Sequence, residues 1–249
     1  MIKENKKNNE ARETKIKFTH YLWALVKEPY VFVAVLFLII LILAAIFADL
    51  ILTYDPLRPN ILAARLTPFS ESKGMGGVIN FHWLGTDALG RDMLTRLIFG
   101  ARVSVSVGVI AVTIAGTIGT ILGLIAGYYG RMTESIIMRT VDGFMAIPSL
   151  FIALFVLFVL GGGLLNMILI LAFVRWVVFT RLVRGITISL KETSYIEAAR
   201  AIGASDSRII FKHILPHLIS PLLVLATLEV ALLILAEAGL SFLGLGLEP

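Results

Sequence analysis

The run VFVAVLFLIILILAAIFA, residues 31–48, decides the fold class of this chain. It holds 18 consecutive residues without a polar side chain and is followed by further apolar residues at 50–52. About 20 apolar residues are needed for a helix to cross the ~30 Å hydrocarbon core of a bilayer. A cleavable secretory signal would carry only ~7–15 apolar residues before a small-residue cleavage site. The run therefore reads as an uncleaved first transmembrane helix. Composition agrees: 58% of the 249 residues are hydrophobic and mean hydropathy is +0.91. Soluble domains sit nearer ~45–50%. A single water-soluble core cannot hide that much apolar surface. There are no cysteines, which excludes disulfides and thiolate metal sites.

Working outward, four more spans are expected at about 103–128, 144–160, 164–180 and 218–236. None shows the ~10-residue alternation of a barrel strand. Because lipid offers no partner to unpaired backbone groups, a polytopic all-α helical bundle is expected. The stretch 1–28 is basic, with Lys3, Lys6, Lys7, Arg12, Lys15, Lys17 and Lys27 against four acids. Its basic cluster at 3–17 lacks interleaved aromatics and the stretch abuts a span, so it reads as a cytoplasmic tail and not as a nucleic-acid patch. With that tail inside, 15 of the 22 Lys and Arg fall on inside segments, six on the stretch 53–102, and Arg175 within a span. This is the bias of cytoplasmic loops. Three segments follow: the tail 1–28, a first helix with its outer loop and a short helix at 29–102, and a transmembrane domain at 103–249.

Within 53–102, Pro56, Pro59, Pro68, Gly74, Gly76 and Gly77 predict irregular loop. Asp87 is expected to cap a short helix reaching Phe99, with Asp92 and Arg96 as an i,i+4 pair and Leu89, Met93 and Leu97 on one face. Gly119, Gly123 and Gly127 recur at four-residue spacing, one step after Ala115. Small residues at this period let helices approach closely, here a neighbour in the same chain in preference to another subunit. Pro148 should kink the third span or mark an interfacial helix turning into the membrane.

The segment KETSYIEAARAIGASDSRIIFKHILP, residues 191–216, lies between the last two spans. Ser194 and Glu197 have capping-box spacing, so a helix should start there. Gly203 falls where a chain reversal needs positive φ. A second short helix is expected from about Ser205 to Ile214, ending before Pro216.

These residues carry a resemblance. Glu197, Ala198 and Ala199, then Gly203 and Ala204, then Leu215 and Pro216 are similar to the EAA signature of ABC importer permeases. His213, where the general pattern has Ile, resembles the dipeptide, oligopeptide and nickel branch. LGTDALGRDMLTRLIFGARVS (84–104), RTVDGFMAIPSL (139–150) and AEAGLSFLGLG (236–246) are similar to further blocks of that branch. The match runs from about residue 80 to 249, and it most resembles the C-type permease of a peptide importer. The resemblance implies a type I importer (MetI-like) fold in the cytoplasmic membrane of a prokaryote. It implies a second permease subunit as heterodimer partner, two cytoplasmic ATPase subunits that carry ATP and Mg, and an extracytoplasmic peptide-binding protein. In the family the 191–216 loop docks on the ATPase, which assigns ATPase coupling to Glu197, Ala198, Ala199, Gly203, Ala204, Leu215 and Pro216. Members carry one more helix after the LSFLGLG block, so a sequence ending at Pro249 is expected to be truncated. Nickel or another small solute is the alternative cargo.

Arg175 and Glu229 fall inside spans, where a charge costs ~2.5–3.5 kcal/mol on insertion scales. The readings open to them are lining a translocation path or pairing structurally and, for Arg175, snorkelling to the interface. Glu237, near the end of the last span, is expected at a gate. No G-x-x-x-x-G-K-[ST] occurs, so ATP would be bound by partners and no cofactor by this chain. His20, His82, His213 and His217 lack the HExxH spacing of zinc hydrolases, and no metal site is expected. No nucleophile-and-base set of a membrane-embedded protease stands out. An ATP-independent channel or carrier is the rival from another class, separable by whether genes for a sister permease and ATPases lie alongside.

Overall fold

The computed structural model describes residues 28–51, 55–73 and 79–246. The basic tail before Glu28, Gly74, Gly76, Gly77 and the last three residues lie outside the described residues. Two compact units divide at Arg102 and Val103.

In the first unit, α1 spans Pro29–Ile46, with Pro29 in its first turn, where a missing N–H costs nothing. A short helical turn follows at Ala48–Ile51, and its Asp49 meets Arg102 at 2.8 Å. The loop expected to be irregular contains a two-stranded antiparallel hairpin, β1 (Ser70–Lys73) and β2 (Ile79–His82), in the register Ser70↔His82. Edge-to-face contacts of Phe69 and Phe81 with Trp83, at 6.1 and 5.1 Å, stiffen its base.

The short helix expected after Asp87 is instead the start of a long one, α2 (Met93–Tyr129, 37 residues). Its cap is Asp92, whose Oδ2 accepts the Thr95 amide and hydroxyl, both at 2.8 Å. Asp87 sits in the preceding turn, accepting the Leu89 and Arg91 amides at 2.9 Å and both the Arg91 and Arg96 guanidinium groups. Arg96 thus pairs with Asp87 and not with Asp92, and Leu89 lies outside the helix whose face it was expected to share. Spacing alone could not see that the chain doubles back between 82 and 92. Burial pushes the Asp87 carboxyl up, but its bonds to Arg91 and Leu89 outweigh burial and hold it below the ordinary aspartate value.

The second unit continues α2 and adds α3 (Arg131–Met145), α4 (Ser149–Leu160), α5 (Leu164–Lys191), α6 (Ser194–Ala201) and α7 (Leu215–Phe242). The axis bends by 81° between α3 and α4, at Pro148. Among the described residues, four helices are long and apolar enough to cross a membrane, and five spans result if the bent pair counts as one. The α5 span runs well past its expected end at Thr180. The glycines of α2 press on α5. A Cβ added at Gly119 would lie 2.5 Å from Phe179 Cβ, at Gly123 2.7 Å from Val183 Cβ, and at Gly127 2.7 Å from Thr187 Cβ. Backbones that close leave no room for any side chain. Around this seam the core gathers Val107, Ala111, Ala115, Leu157, Met167, Leu171, Phe179, Leu233 and Leu240.

Pro216 does not stop the helix before it. A turn at Asp206–Arg208 passes into a π-helical stretch, Ile209–Ile214, and on into α7 without a break. A proline lacks the N–H that would bond four residues back, and the wider π spacing accommodates that lost bond in place of a chain end.

Candidate functional site: the 191–216 segment and the buried charges of α5 and α7

The segment 191–216 is a knob with one anchored and one bare face. α6 begins where the sequence suggested, but its N-cap is Thr193, and Ser194 is its first helical residue without a capping bond. The Thr193 hydroxyl turns back to the Leu190 carbonyl at 2.5 Å, so no capping box forms. Glu197 lies in the first turn of α6, exposed, and no described residue pairs with its carboxylate. Near a helix N-terminus a carboxylate contributes about 0.3–1 kcal/mol. Gly203 has φ +85°, the left-handed conformation of a reversal, and Ala204 closes the turn through its amide to the Ala199 carbonyl at 3.0 Å.

Ile196, Ile209 and Ile214 are fully buried and pack with Leu218, Val183, Leu124 and Tyr128. Tyr128, at the end of α2, holds the segment at three points. Its hydroxyl donates to Asp206 Oδ1 at 2.6 Å, its carbonyl accepts Lys191 Nζ at 2.6 Å, and the Arg200 guanidinium lies 5.9 Å from its ring centre. The opposite face is bare. Ile202 is 86% exposed, Phe211 67% and Tyr195 43%. Ala198 and Pro216 are exposed, Leu215 is half-buried and Ala199 is nearly buried. Arg184 pairs with Glu134, and Arg181 with Asp142 at 2.6 Å, which ties α3 to the α5 end that leads into this knob.

Deeper in the bundle, Arg175 of α5 meets Glu229 of α7, Nε to Oε2 at 2.5 Å, with the glutamate side chain only 3% exposed. Glu237, two turns further along α7, is joined to neither. Its Oε2 accepts the Ser104 hydroxyl at 2.7 Å and its Oε1 the Ser241 hydroxyl at 2.8 Å. Arg175 lines a cleft of about 180 Å³ with Ser149, Val174, Leu232 and Ala236. Sequence reasoning did not single out Tyr128, Ser104 or Asp206. Tyr128 lies 78 residues from Asp206, and Ser104 lies 133 from Glu237, so no local pattern marks them.

The first unit contains one arrangement that the sequence did not suggest. Ser72 Oγ meets His82 Nε2 at 2.9 Å, and His82 Nδ1 meets Asp92 Oδ1 at 2.8 Å. The order is that of a hydrolase triad, but Ser72 and His82 are hairpin residues and Asp92 also caps α2. The line acts as a strut from the hairpin to the helix start.

Residues 119–249 match the family described as binding-protein-dependent transport system inner membrane component. The chain is 39% identical over 214 residues to a glutathione transport system permease protein GsiD of Pectobacterium atrosepticum, covering 86% of this chain and 68% of that protein. It is 44% identical over 199 residues to a dipeptide transport system permease protein DppC of Alkalihalophilus pseudofirmus, covering 80% and 64%. It is 41% identical over 231 residues to the GsiD of an Escherichia coli O6 strain, covering 92% and 73%. With its apolar helices, its bent third span and the knob between its last two spans, the chain belongs to the family of inner membrane components of binding-protein-dependent transport systems, on the branch of peptide importer permeases.

Proposed function

We propose that this chain is one of two permease subunits of an ATP-driven importer that moves di- or oligopeptides across the cytoplasmic membrane. The observation that carries the reading is the knob at 191–216, rigidly rooted through three buried isoleucines while Ile202, Phe211 and Tyr195 stand in solvent. Burying an isoleucine or phenylalanine side chain is worth about 1.5–3 kcal/mol, so such a surface favours a protein partner. The partner is an ATPase subunit on the cytoplasmic side, where the N-terminus also lies. ATP and Mg are bound there, and this chain contributes no hydrolytic chemistry.

Work passes mechanically. Closure of two ATPase subunits displaces the knob, and the knob is continuous with α7 and one short turn from α5, so its displacement tilts both helices. A loaded extracytoplasmic binding protein biases the opposite end of the same two-state element. Glu197, Ala198, Ala199, Gly203, Ala204, Leu215 and Pro216 form or shape the docking surface. Arg175, Glu229 and Glu237 belong to the path that α5 and α7 border. A peptide cargo is supported by kinship with permeases named for dipeptide and glutathione.

Gly203→Val places a β-branched residue at φ +85°, and Glu197→Lys reverses the charge at the bare face. Each variant should insert normally yet lose peptide uptake and ATPase co-purification in mild detergent. Wild-type uptake by both would refute the coupling role.

A further inference from the structure

The half-buried arginine of α5 is only partly used. Guanidinium carries five N–H donors, and in Arg175 the Nε–H alone is taken, by Glu229. Among the described residues nothing accepts from its two terminal nitrogens. Yet the side chain, 21% exposed, borders the cleft that Ser149, Leu232 and Ala236 complete. Glu229 holds the guanidinium by its side and offsets much of the cost of burying the charge. The remaining donors sit on the Nη1 and Nη2 edge, and such an edge matches a carboxylate bidentately.

Depth limits what can reach it. Along α5, Arg175 lies about 16 Å from Leu164 and about 24 Å from Lys191, at 1.5 Å per residue. It lies inside the apolar span, about 9 Å at 1.5 Å per residue from Arg181, whose ion pair with Asp142 is the next charge towards the knob. Size limits it again. About 180 Å³ admits one terminal residue and not a whole peptide.

We propose that Arg175 reads the C-terminal carboxylate of the peptide in transit, with Glu229 as the positioning residue that presents the guanidinium edge. The inference rests on the peptide-importer reading above. It adds a charge-selective station within the membrane, separate from any preference of the binding protein.

The test uses the assembled transporter in proteoliposomes with its binding protein saturated by a tripeptide, either as the free acid or as the isosteric C-terminal amide. Since the binding protein is unchanged throughout, any change in the acid-to-amide uptake ratio between variants reports on the permease. Wild type should favour the acid. Losing a bond to a charged group costs on the order of tenfold or more, so Arg175→Gln should bring acid uptake down towards the amide level. Glu229→Gln keeps an acceptor for Nε but loses the charge that holds the guanidinium in place, so the ratio should fall part of the way towards that of Arg175→Gln. Should Arg175→Gln fail to assemble, the Glu229→Gln ratio decides. An unchanged ratio in the variants that assemble overturns the inference, as does a ratio that follows lipid headgroup charge, which would make lipid phosphate the occupant. If the wild-type assembly moves neither peptide, it is the peptide-importer reading that fails.

Discussion

α5 and α7 are equally long, 28 residues each, and they treat their side chains in opposite ways. The most hydrophobic stretch of α5 has mean hydropathy 1.8 and is 61% buried. The helical run ending in α7, Asp206–Phe242, reaches 2.5 and is 17% buried. α5 buries twelve residues, from Met167 to Thr187, nearly all apolar. α7 buries five, and two of those are Glu229 and Glu237, while Leu223, Val224, Leu228 and Leu235 are exposed. In water the more apolar helix would be the more hidden one. In lipid, exposure costs an apolar side chain nothing, so burial is free to collect small residues, close-packed seams and charges. α5 is thus the post of this bundle, and α7 is its lipid-compatible flank, turned inward at Glu229, Leu233, Glu237 and Leu240.

The largest effect should come from breaking the post. Gly123→Leu drives a side chain into Val183 and the Thr180 carbonyl, so folded protein recovered by size exclusion in detergent should fall to near zero. Gly143→Ala, where a Cβ meets nothing within 4 Å, should behave as wild type within about 0.5 kcal/mol.

A second break concerns the inward face of α7. Glu229→Leu leaves the Arg175 charge without its partner and should cost up to about 3–5 kcal/mol, seen as a lowered melting temperature in detergent. Adding Arg175→Met should recover most of the loss. If the double variant were no more stable than the single, the pair would not be what turns α7 inward. On the outward face, where Leu235 is exposed, Leu235→Arg should impair membrane insertion by up to about 3 kcal/mol, the cost of a charge set against hydrocarbon. A neutral result would mean that this flank faces water.

The smallest effect should come from the polar turn before α2, which follows the rules of water and not those of the two helices. Asp87 is held below its ordinary pKa, so its stabilising contribution is present above the aspartate value of the unfolded chain. It is lost as pH falls through the lower folded value. Acid should therefore loosen the turn only below the ordinary aspartate range, with earlier exchange of the Leu89 and Arg91 amides. Asp87→Asn should abolish that dependence.

Much of this arrangement is legible in the sequence, and its failures share a cause. The centres of the spans, the bend at Pro148 and the reversal at Gly203 follow from local rules: length of apolar run, a missing N–H, a φ open to glycine. The 191–216 segment stands out because its motif is contiguous. The sequence misleads where several neighbouring groups compete for one local role. Ser194 and Glu197 have capping-box spacing, but Thr193 took the cap position. Asp87 looks like a cap, but Arg91 and Arg96 claimed it while Asp92 capped α2. Pro216 looks like a stop, but a π-helical stretch absorbed it.

The sequence by itself determined the solvent. A chain this apolar, with most of its charge in its tail and loops, has to build helices that satisfy their own backbone within lipid. Tertiary structure alone decided which rare polar groups meet: Arg175 with Glu229, Glu237 with Ser104, Tyr128 with Asp206 and Lys191. Those meetings join residues 54–133 positions apart, fixed by how helices stack and not by any neighbouring residue. In a membrane, stacking is steered by shape and scarce hydrogen bonds, terms that leave little trace in hydropathy.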